Sequence, residues 1–529
     1  MSLEITPRTA PQDNNGEPVG GIKIVPRNNV GGIKIVPRKK TDNNHNKNNE
    51  GGAEKTAPAK KPLVNPNYPI PDNRITGPLS LDSYPRLVEI DENLGDFLNQ
   101  FFLSKYSIYP DNEGKIKHIF MEYSKYETGC SHSSGELDAH KAILLNTDEN
   151  VKISFLVKNN EDEEVLQKLI KEAGIKNPDR IEIIITGKTP RGWARDPAVA
   201  VEDDGGENHI LLFERHSPLR IEAYRKNNPG SAELEAELSE VAQDRAMFTF
   251  INDNNINVAD MKEVIGIVLD GGNIIRIDKD IFIGTSVIYN TCETLWHKYH
   301  KNPAFNRFVA QYYKELTGKE VPDGYQTIEI LTVLTPNIIA TFFNSNVIVI
   351  GEDNPETDKI ESQPTFHIDM LMGPAKNSNG ENVVMVGDPK MAKEIFDNLS
   401  DDEKEKNGSL KMLLEDYINK TNINAEQNNF DAVADYLKKQ GFKVMRTPYL
   451  EHLPGLPTVA FTNNLIEDYT DEKGKHIKRI FLPQYNIEPL DKKAADIFRS
   501  MEYEIIFVDC SSIGKCQGSI RCKTQVIKE

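Results

Sequence analysis

The sequence predicts an α/β protein, on three observations. From about residue 85 onward, short apolar runs of strand length alternate with amphipathic helical stretches. The strand–helix–strand unit recurs several times, each time with an extra short strand, which points to repeated modules rather than one doubly wound sheet. The composition, 38% hydrophobic and 27% charged over 529 residues, is that of a globular chain with ample length for a core.

The elements follow in order. "VKISFLVK" (151–158) reads as a strand, "DEEVLQKLIKEAG" as a helix and "RIEIIIT" (180–186) as the next strand. "HILLFER" (209–215) precedes a helical "AELEAELSEVAQDRAMFTFI", and "VIGIVLDGG" runs into "NIIRIDKDIFIGTS", strands joined by a turn. "NVVMVGD" leads to helix "PKMAKEIFDNL" and then to "FKVMRTPY". "RIFLPQY", helix "DKKAADIFRSM", strand "YEIIFVD" and a terminal strand "SIRCKTQVIK" complete the series. Segments of about 203–262 and 375–445 read as helical insertions in this plan.

Residues 1–85 differ in kind. They are rich in Asn, Gly, Pro and Lys, with few aromatics, and are expected to be disordered. Within them "VGGIKIVPR" occurs twice, at 19–27 and 30–38. Each copy reads either as a strand added to the sheet edge of a protein partner or as a duplicated linker.

The net charge of −18 argues against a general nucleic-acid binder. No apolar run is long enough to span a bilayer, and no secretory h-region is evident. Five cysteines without a CxxC pair predict neither a disulfide framework nor a zinc site. The expected setting is therefore cytoplasmic, or export by a route without that signature.

Four polar clusters interrupt or end apolar runs. "GWARDPAVAV" (192–201) carries Arg195 and Asp196 beside Trp193, an internal ion pair or a site. "LDGGNI" (269–274) holds Asp270 and Asn273 about a paired glycine, a turn or a close backbone approach. In "TFHIDML" (365–371), read as a strand, His367 and Asp369 share one face as a candidate acid/base pair. Cys522, in "GSIRCKTQ", is expected on the last strand with Arg521 and Lys523 facing the other way; it reads as a buried inert thiol or a nucleophile favoured by those charges. Cys292 with His297 and His300 has metal-like spacing within a helical pattern. "TGCSHSSGE" around Cys130 reads as a polar loop, and two acidic runs (352–359 and 398–406) as solvated surface.

Taken in chain order, W-x-R-D, D-G-G-N, H-x-D and a C-terminal G-x-x-x-C resemble the guanidino-group-modifying superfamily, the pentein fold. The likeness covers roughly residues 100–529 and is greatest to agmatine deiminases, arginine deiminases and bacterial peptidyl-arginine deiminases. It implies a pentein-type α/β propeller, five β/α modules around a pseudo-fivefold axis, as a catalytic domain over 86–529. It implies Cys522 as nucleophile, His367 as general acid/base, and Asp196 and Asp369 as the carboxylates that grip a guanidinium. Trp193, Asp270, Asn273 and Asn463 (in "TVAFTNNLIED") complete the implied substrate-binding set, with Asp270 orienting His367. The implied reaction is deimination of agmatine, arginine or peptidyl-arginine to a ureido group, without metal or cofactor. An amidinotransferase with the same nucleophile and an arginine-binding pseudoenzyme are the alternatives.

Overall fold

The computed structural model describes residues 106–125, 134–261, 266–322, 327–354, 359–361, 364–408, 410–412, 414–415, 423–451 and 457–529. The duplicated segment and Cys130 lie outside them. What they form is a mixed α/β fold of several small sheets, none closed on itself.

One pattern recurs in five of these sheets. Two strands pair antiparallel, the chain passes through helix, and a third strand returns parallel to the second. Ala198–Asp203, Asn208–Leu212 and Ile256–Asp260 form the first such unit, with Tyr106–Ile108 added at its edge. Ile274–Ile277, Asp280–Gly284 and Asn346–Ile350 form the second. Met372–Lys376, Asn382–Asp388 and Lys443–Leu450 form the third, extended by Val459–Ala460. Leu465–Thr470, His476–Gln484 and Glu504–Asp509 form the fourth. In the fifth, the C-terminal Thr524–Lys528 pairs with Ile116–Tyr123 from the start of the described chain, followed by Lys152–Val157 and Ile181–Ile185. The last strand is thus tied into a sheet by an early one, which prevents the fraying usual at a terminus.

The helices are specified locally. Asn159 caps Asn160–Ala173 by accepting from the Asp162 N–H, and Gly174, at φ 64°, ends it in the left-handed conformation that glycine adopts without strain. Asn302 caps Pro303–Thr317 in the same way, with proline at the first position. Two large apolar clusters fill the space between helices and sheets, one around Phe155, Met385, Phe481 and Phe498 and one around Phe213, Phe305, Tyr313 and Phe343. No helix among the described residues is long and apolar enough to cross a membrane.

The predicted strands agree with the observed ones apart from three places. "TFHIDML" is not a strand: His367 is extended and caps a helical turn, Ile368–Leu371. "SIRC" is likewise a helical turn, Ile520–Lys523, and the strand begins only at Thr524. Of "VIGIVLDGG", the described residues 266–272 make a single bridge, at Val268, rather than a strand. In the first two places a short apolar run next to polar residues carried the strand pattern, but tertiary hydrogen bonds to neighbouring segments accompany a helical turn instead. The segments 203–262 and 375–445 supply strands of the first and third sheets as well as helices.

Candidate active site

Five segments build the site, and each stands immediately before the first strand of one sheet: Trp193–Asp196, Asp270–Asn273, His367–Asp369, Thr462–Asn464 and Ser519–Cys522. They are joined in a closed ring of hydrogen bonds. The Arg195 N–H donates to the Cys522 carbonyl at 3.1 Å, and the Gly271 N–H to the Asp196 carbonyl at 3.1 Å. The Ile368 N–H donates to Asn273 Oδ1 at 3.1 Å and the Thr462 hydroxyl to the Asp369 carbonyl at 3.2 Å. The Arg521 N–H closes the ring on Asn463 Oδ1 at 3.0 Å. Residues scattered over 330 positions therefore reach one place because they occupy equivalent positions in repeated units.

The paired glycines are required by close approach. A Cβ on Gly271 would lie 1.9 Å from the Arg195 carbonyl oxygen, and one on Gly272 would lie 2.2 Å from His367 Nδ1. Asn273 bonds the backbone on both sides of His367, donating to the Phe366 carbonyl at 3.4 Å and accepting from Ile368. Trp193 packs edgewise on Gly518, where a Cβ would lie 2.0 Å from the ring, and lies beneath the Lys523 ammonium at 4.3 Å.

Cys522 is buried, with Sγ 4.0 Å from Asp369 Oδ2 and accepting from Asn463 Nδ2 at 3.2 Å. Burial, followed by the Asp369 and Asp196 charges, pushes its thiol well above the ordinary range. His367 Nε2 lies 2.9 Å from Asp270 Oδ2, and Nδ1 lies 3.9 Å from Asp196 Oδ1. The carboxylate that holds the imidazole is thus Asp270, not the sequence neighbour Asp369. Burial alone would raise the Asp270 carboxyl, but the Arg215 guanidinium and His367 outweigh it and hold the group well below the usual range.

Two arginines complete the arrangement. Arg215 Nη2 lies 3.0 Å from Asp196 Oδ2 and 2.6 Å from Asp270 Oδ2. Arg521 donates from Nη1 to Asp369 Oδ2 at 2.7 Å, from Nε and Nη2 to Asp111, and from Nη2 to the Ile274 carbonyl at 2.7 Å. Arg521 and Lys523 do not face away from Cys522 into solvent as a strand would place them; both are buried, Lys523 on Glu136 at 2.7 Å. Asp369 consequently has one oxygen taken by an internal guanidinium, while Oδ1 is buried without a hydrogen-bond partner. Burial outweighs Arg521 and raises the Asp369 carboxyl. Arg195 is buried with Nε and Nη2 unpartnered, and burial together with Arg521 lowers it to about 9.

Asp196, Asp270 and His367 each place a ligand atom within 4.8 Å of the others, a spacing that suits a cation. Arg215 already supplies one, since the same nitrogen touches both carboxylates. Cys292, His297 and His300 do not converge among the described residues; the Cys292 thiol donates to the Ile328 carbonyl at 3.1 Å. Cys516 is disulfide-bonded, where the cysteine spacing predicted no disulfide framework.

Sequence reading missed Arg215 and Asp111. Arg215 left a signal, a charge ending the apolar run "HILLFER"; Asp111, in "YPDNEG", left none.

No family model and no curated protein matches the chain. Among solved structures it is similar to C. jejuni agmatine deiminase, at 14% identity over 80% of this chain and 96% of that one, with a TM-score of 0.44. Agmatine deiminase of Enterococcus faecalis follows at 11% over 82% and 97%, TM-score 0.43, and an amidinotransferase from Microseira wollei at 13% over 80% and 97%, TM-score 0.30. These are pentein enzymes, the superfamily that the chain's motifs resemble. At such identities and TM-scores the likeness assigns no activity, and the reaction must be read from the site.

Proposed function

We propose that the protein is a cysteine-dependent hydrolase of guanidino groups, a deiminase that yields a ureido product and ammonia. The observation that supports it is the grouping of Cys522, His367, Asp196 and Asp369 in one buried cluster, with a thiol 4.0 Å from one carboxylate and an imidazole held by another. The ring of five segments, each entering one ββαβ unit, supports the further reading of five modules about a pseudo-fivefold axis.

A planar guanidinium donates along its edges, so one oxygen from each of Asp196 and Asp369 suffices to orient it. The second oxygen of each carboxylate belongs to Arg215 or Arg521, which holds the acceptor in place instead of offering a two-oxygen grip. Burial and then the two carboxylates keep the Cys522 thiol protonated; a bound cation would offset the carboxylates, so that the substrate itself favours the thiolate. The thiol proton passes to His367, and sulfur bonds to the guanidinium carbon. His367 returns the proton to one nitrogen, which leaves as ammonia, and a covalent thiouronium remains. His367 then takes one proton from water as its oxygen adds to the same carbon. The C–S bond breaks as the carbonyl forms, the hydroxyl proton passes to the departing sulfur to restore the thiol, the ureido product leaves, and the imidazolium releases its proton to solvent. Asn463 and Asn273 act as positioning residues, on Cys522 and on the backbone of His367.

The test is ammonia release from agmatine, arginine and an arginyl peptide, with an added amine such as glycine to reveal amidino transfer. Cys522→Ala is expected to abolish turnover and His367→Ala to lower it about 10²–10⁴-fold. One observation favours a second reading: Arg521 already occupies an Asp369 oxygen, as a bound arginine would. Tight binding of arginine without ammonia release would establish that reading, a binding protein without turnover, and overturn the first.

A further inference from the structure

The fifth sheet ends in a strand that invites another. Ile181–Ile185 pairs in parallel with Lys152–Val157 on one side, and its other edge is unpaired among the described residues. The strand reads Ile-Glu-Ile-Ile-Ile, half-buried along its length, and Ile185 is 41% exposed. Apolar open edges template further strands unless lysine, proline or a bulge blunts them, and none of these lies within this strand. Beside it a groove of about 500 Å³ runs between the strand and helix Asn160–Ala173, lined by Ile170, Ile175, Ile181 and Ile183 with Gln167 and Lys171. An added strand would place alternate side chains into that groove.

The chain contains a segment that fits. Ile22-Lys23-Ile24-Val25 is repeated as Ile33-Lys34-Ile35-Val36, and both copies lie outside the described residues. Its I-K-I core reads the same in both directions, so parallel or antiparallel pairing alike sets the lysine opposite Glu182. The flanking isoleucines then lie on the Ile181 and Ile183 face, which is the groove face. Glu182 is half-exposed and paired with Lys152 at 3.2 Å, and that lysine has a second partner in Asp253 at 2.9 Å. Pro26 and Pro37 lack an N–H and would end the pairing.

Charge and length agree. Residues 1–62 carry 11 basic and 6 acidic side chains, net +5, so residues 63–529 carry −23 of the chain's −18. The 67 residues from 39 to 105 would, as a flexible chain, span about 45 Å root-mean-square, comparable to a domain diameter. A tethered segment at that range sees an effective concentration on the order of millimolar.

We propose that the Ile181–Ile185 edge is the docking site of the chain's own I-K-I-V segment, one of the two copies adding a strand to the fifth sheet. Hydrogen exchange of the full-length protein tests this without reference to catalysis. Amides of 181–185, and of one I-K-I-V copy, are expected to exchange at least about tenfold slower than in the variant Ile22→Asp/Ile24→Asp/Ile33→Asp/Ile35→Asp, equivalent to about 1.4 kcal/mol of docking. Those substitutions leave the described fold untouched. Lys23→Glu/Lys34→Glu is expected to remove the protection, and Glu182→Lys in that background to restore it. Equal exchange in wild type and the fourfold variant would overturn the proposal. So would protection that fades on dilution together with a dimer, which would mean exchange of the segment between copies.

Discussion

On the His367 side of the site one arginine, Arg215, bridges Asp196 and Asp270; on the Cys522 side another, Arg521, bridges Asp369 and Asp111. The two bridges differ in slack. Every side-chain nitrogen of Arg521 is engaged, and backbone carbonyls take what the carboxylates leave. Arg215 leaves Nη1 unpartnered, and Asp270 gives its outer contact to an imidazole. A buried ion pair with all donors used fixes geometry; one that ends on histidine can also store a proton. The division of labour matches the proposed chemistry, a rigid nucleophile opposite a proton carrier.

The largest expected effect breaks the rigid half. Arg521→Met leaves the buried Asp369 without its ion-pair partner and Asp111 with the Arg276 N–H in place of the guanidinium, and should cost about 3–5 kcal/mol in denaturant unfolding. Arg215→Met should cost less, because Asp270 keeps its 2.9 Å contact with His367 Nε2. Equal losses in denaturant unfolding would contradict the contrast.

A smaller change addresses the proton carrier alone. Gly272→Ala puts a methyl 2.2 Å from His367 Nδ1, so the ring must move. Turnover is expected to fall about 10²-fold, as for a 1 Å misplacement, with about 1–3 kcal/mol lost in stability. Full activity with unchanged melting would show that the ring position is not required.

The smallest effect is a background against which the others are read. Burial, with Lys152 beside one of them, holds His118 at about 3 and His140 at about 4, below the ~6.5 of the unfolded chain. The unfolded state therefore binds protons first. Their contribution is fully present above about pH 6.5 and is lost as pH falls toward 4. His140→Phe should flatten the melting temperature over that interval; an unchanged slope would assign the acid loss elsewhere.

Much of this was legible beforehand. The strands and helices read from the sequence follow from periodicity, since apolar alternation and capping residues act within a few positions, whereas the strands Ile116–Tyr123 and Asn346–Ile350 and the helices Pro303–Thr317 and Thr327–Phe342 were not read from it. The four clusters were found because each puts charge against an apolar run. His367 and Asp369 were grouped for the wrong local reason, as residues of one strand, yet both reach the site from a helical turn. The pairing of His367 with Asp270, 97 positions away, has no local signature. Nor does the bond between Arg521 and Asp111, 410 positions apart.

Residue type and short-range pattern thus specify the α/β class and mark four polar clusters, because those are properties of side chains and of near neighbours; the roles of Cys522 as nucleophile, His367 as base and Asp196 and Asp369 as guanidinium carboxylates are what the resemblance implies. Which carboxylate serves the imidazole, which arginines hold the acceptors, and how far the Cys522 thiol is pushed upward depend on burial and on charges brought within a few ångströms by folding. Desolvation and Coulomb energy are set by distances in space, and those exist only once five separate segments close their ring.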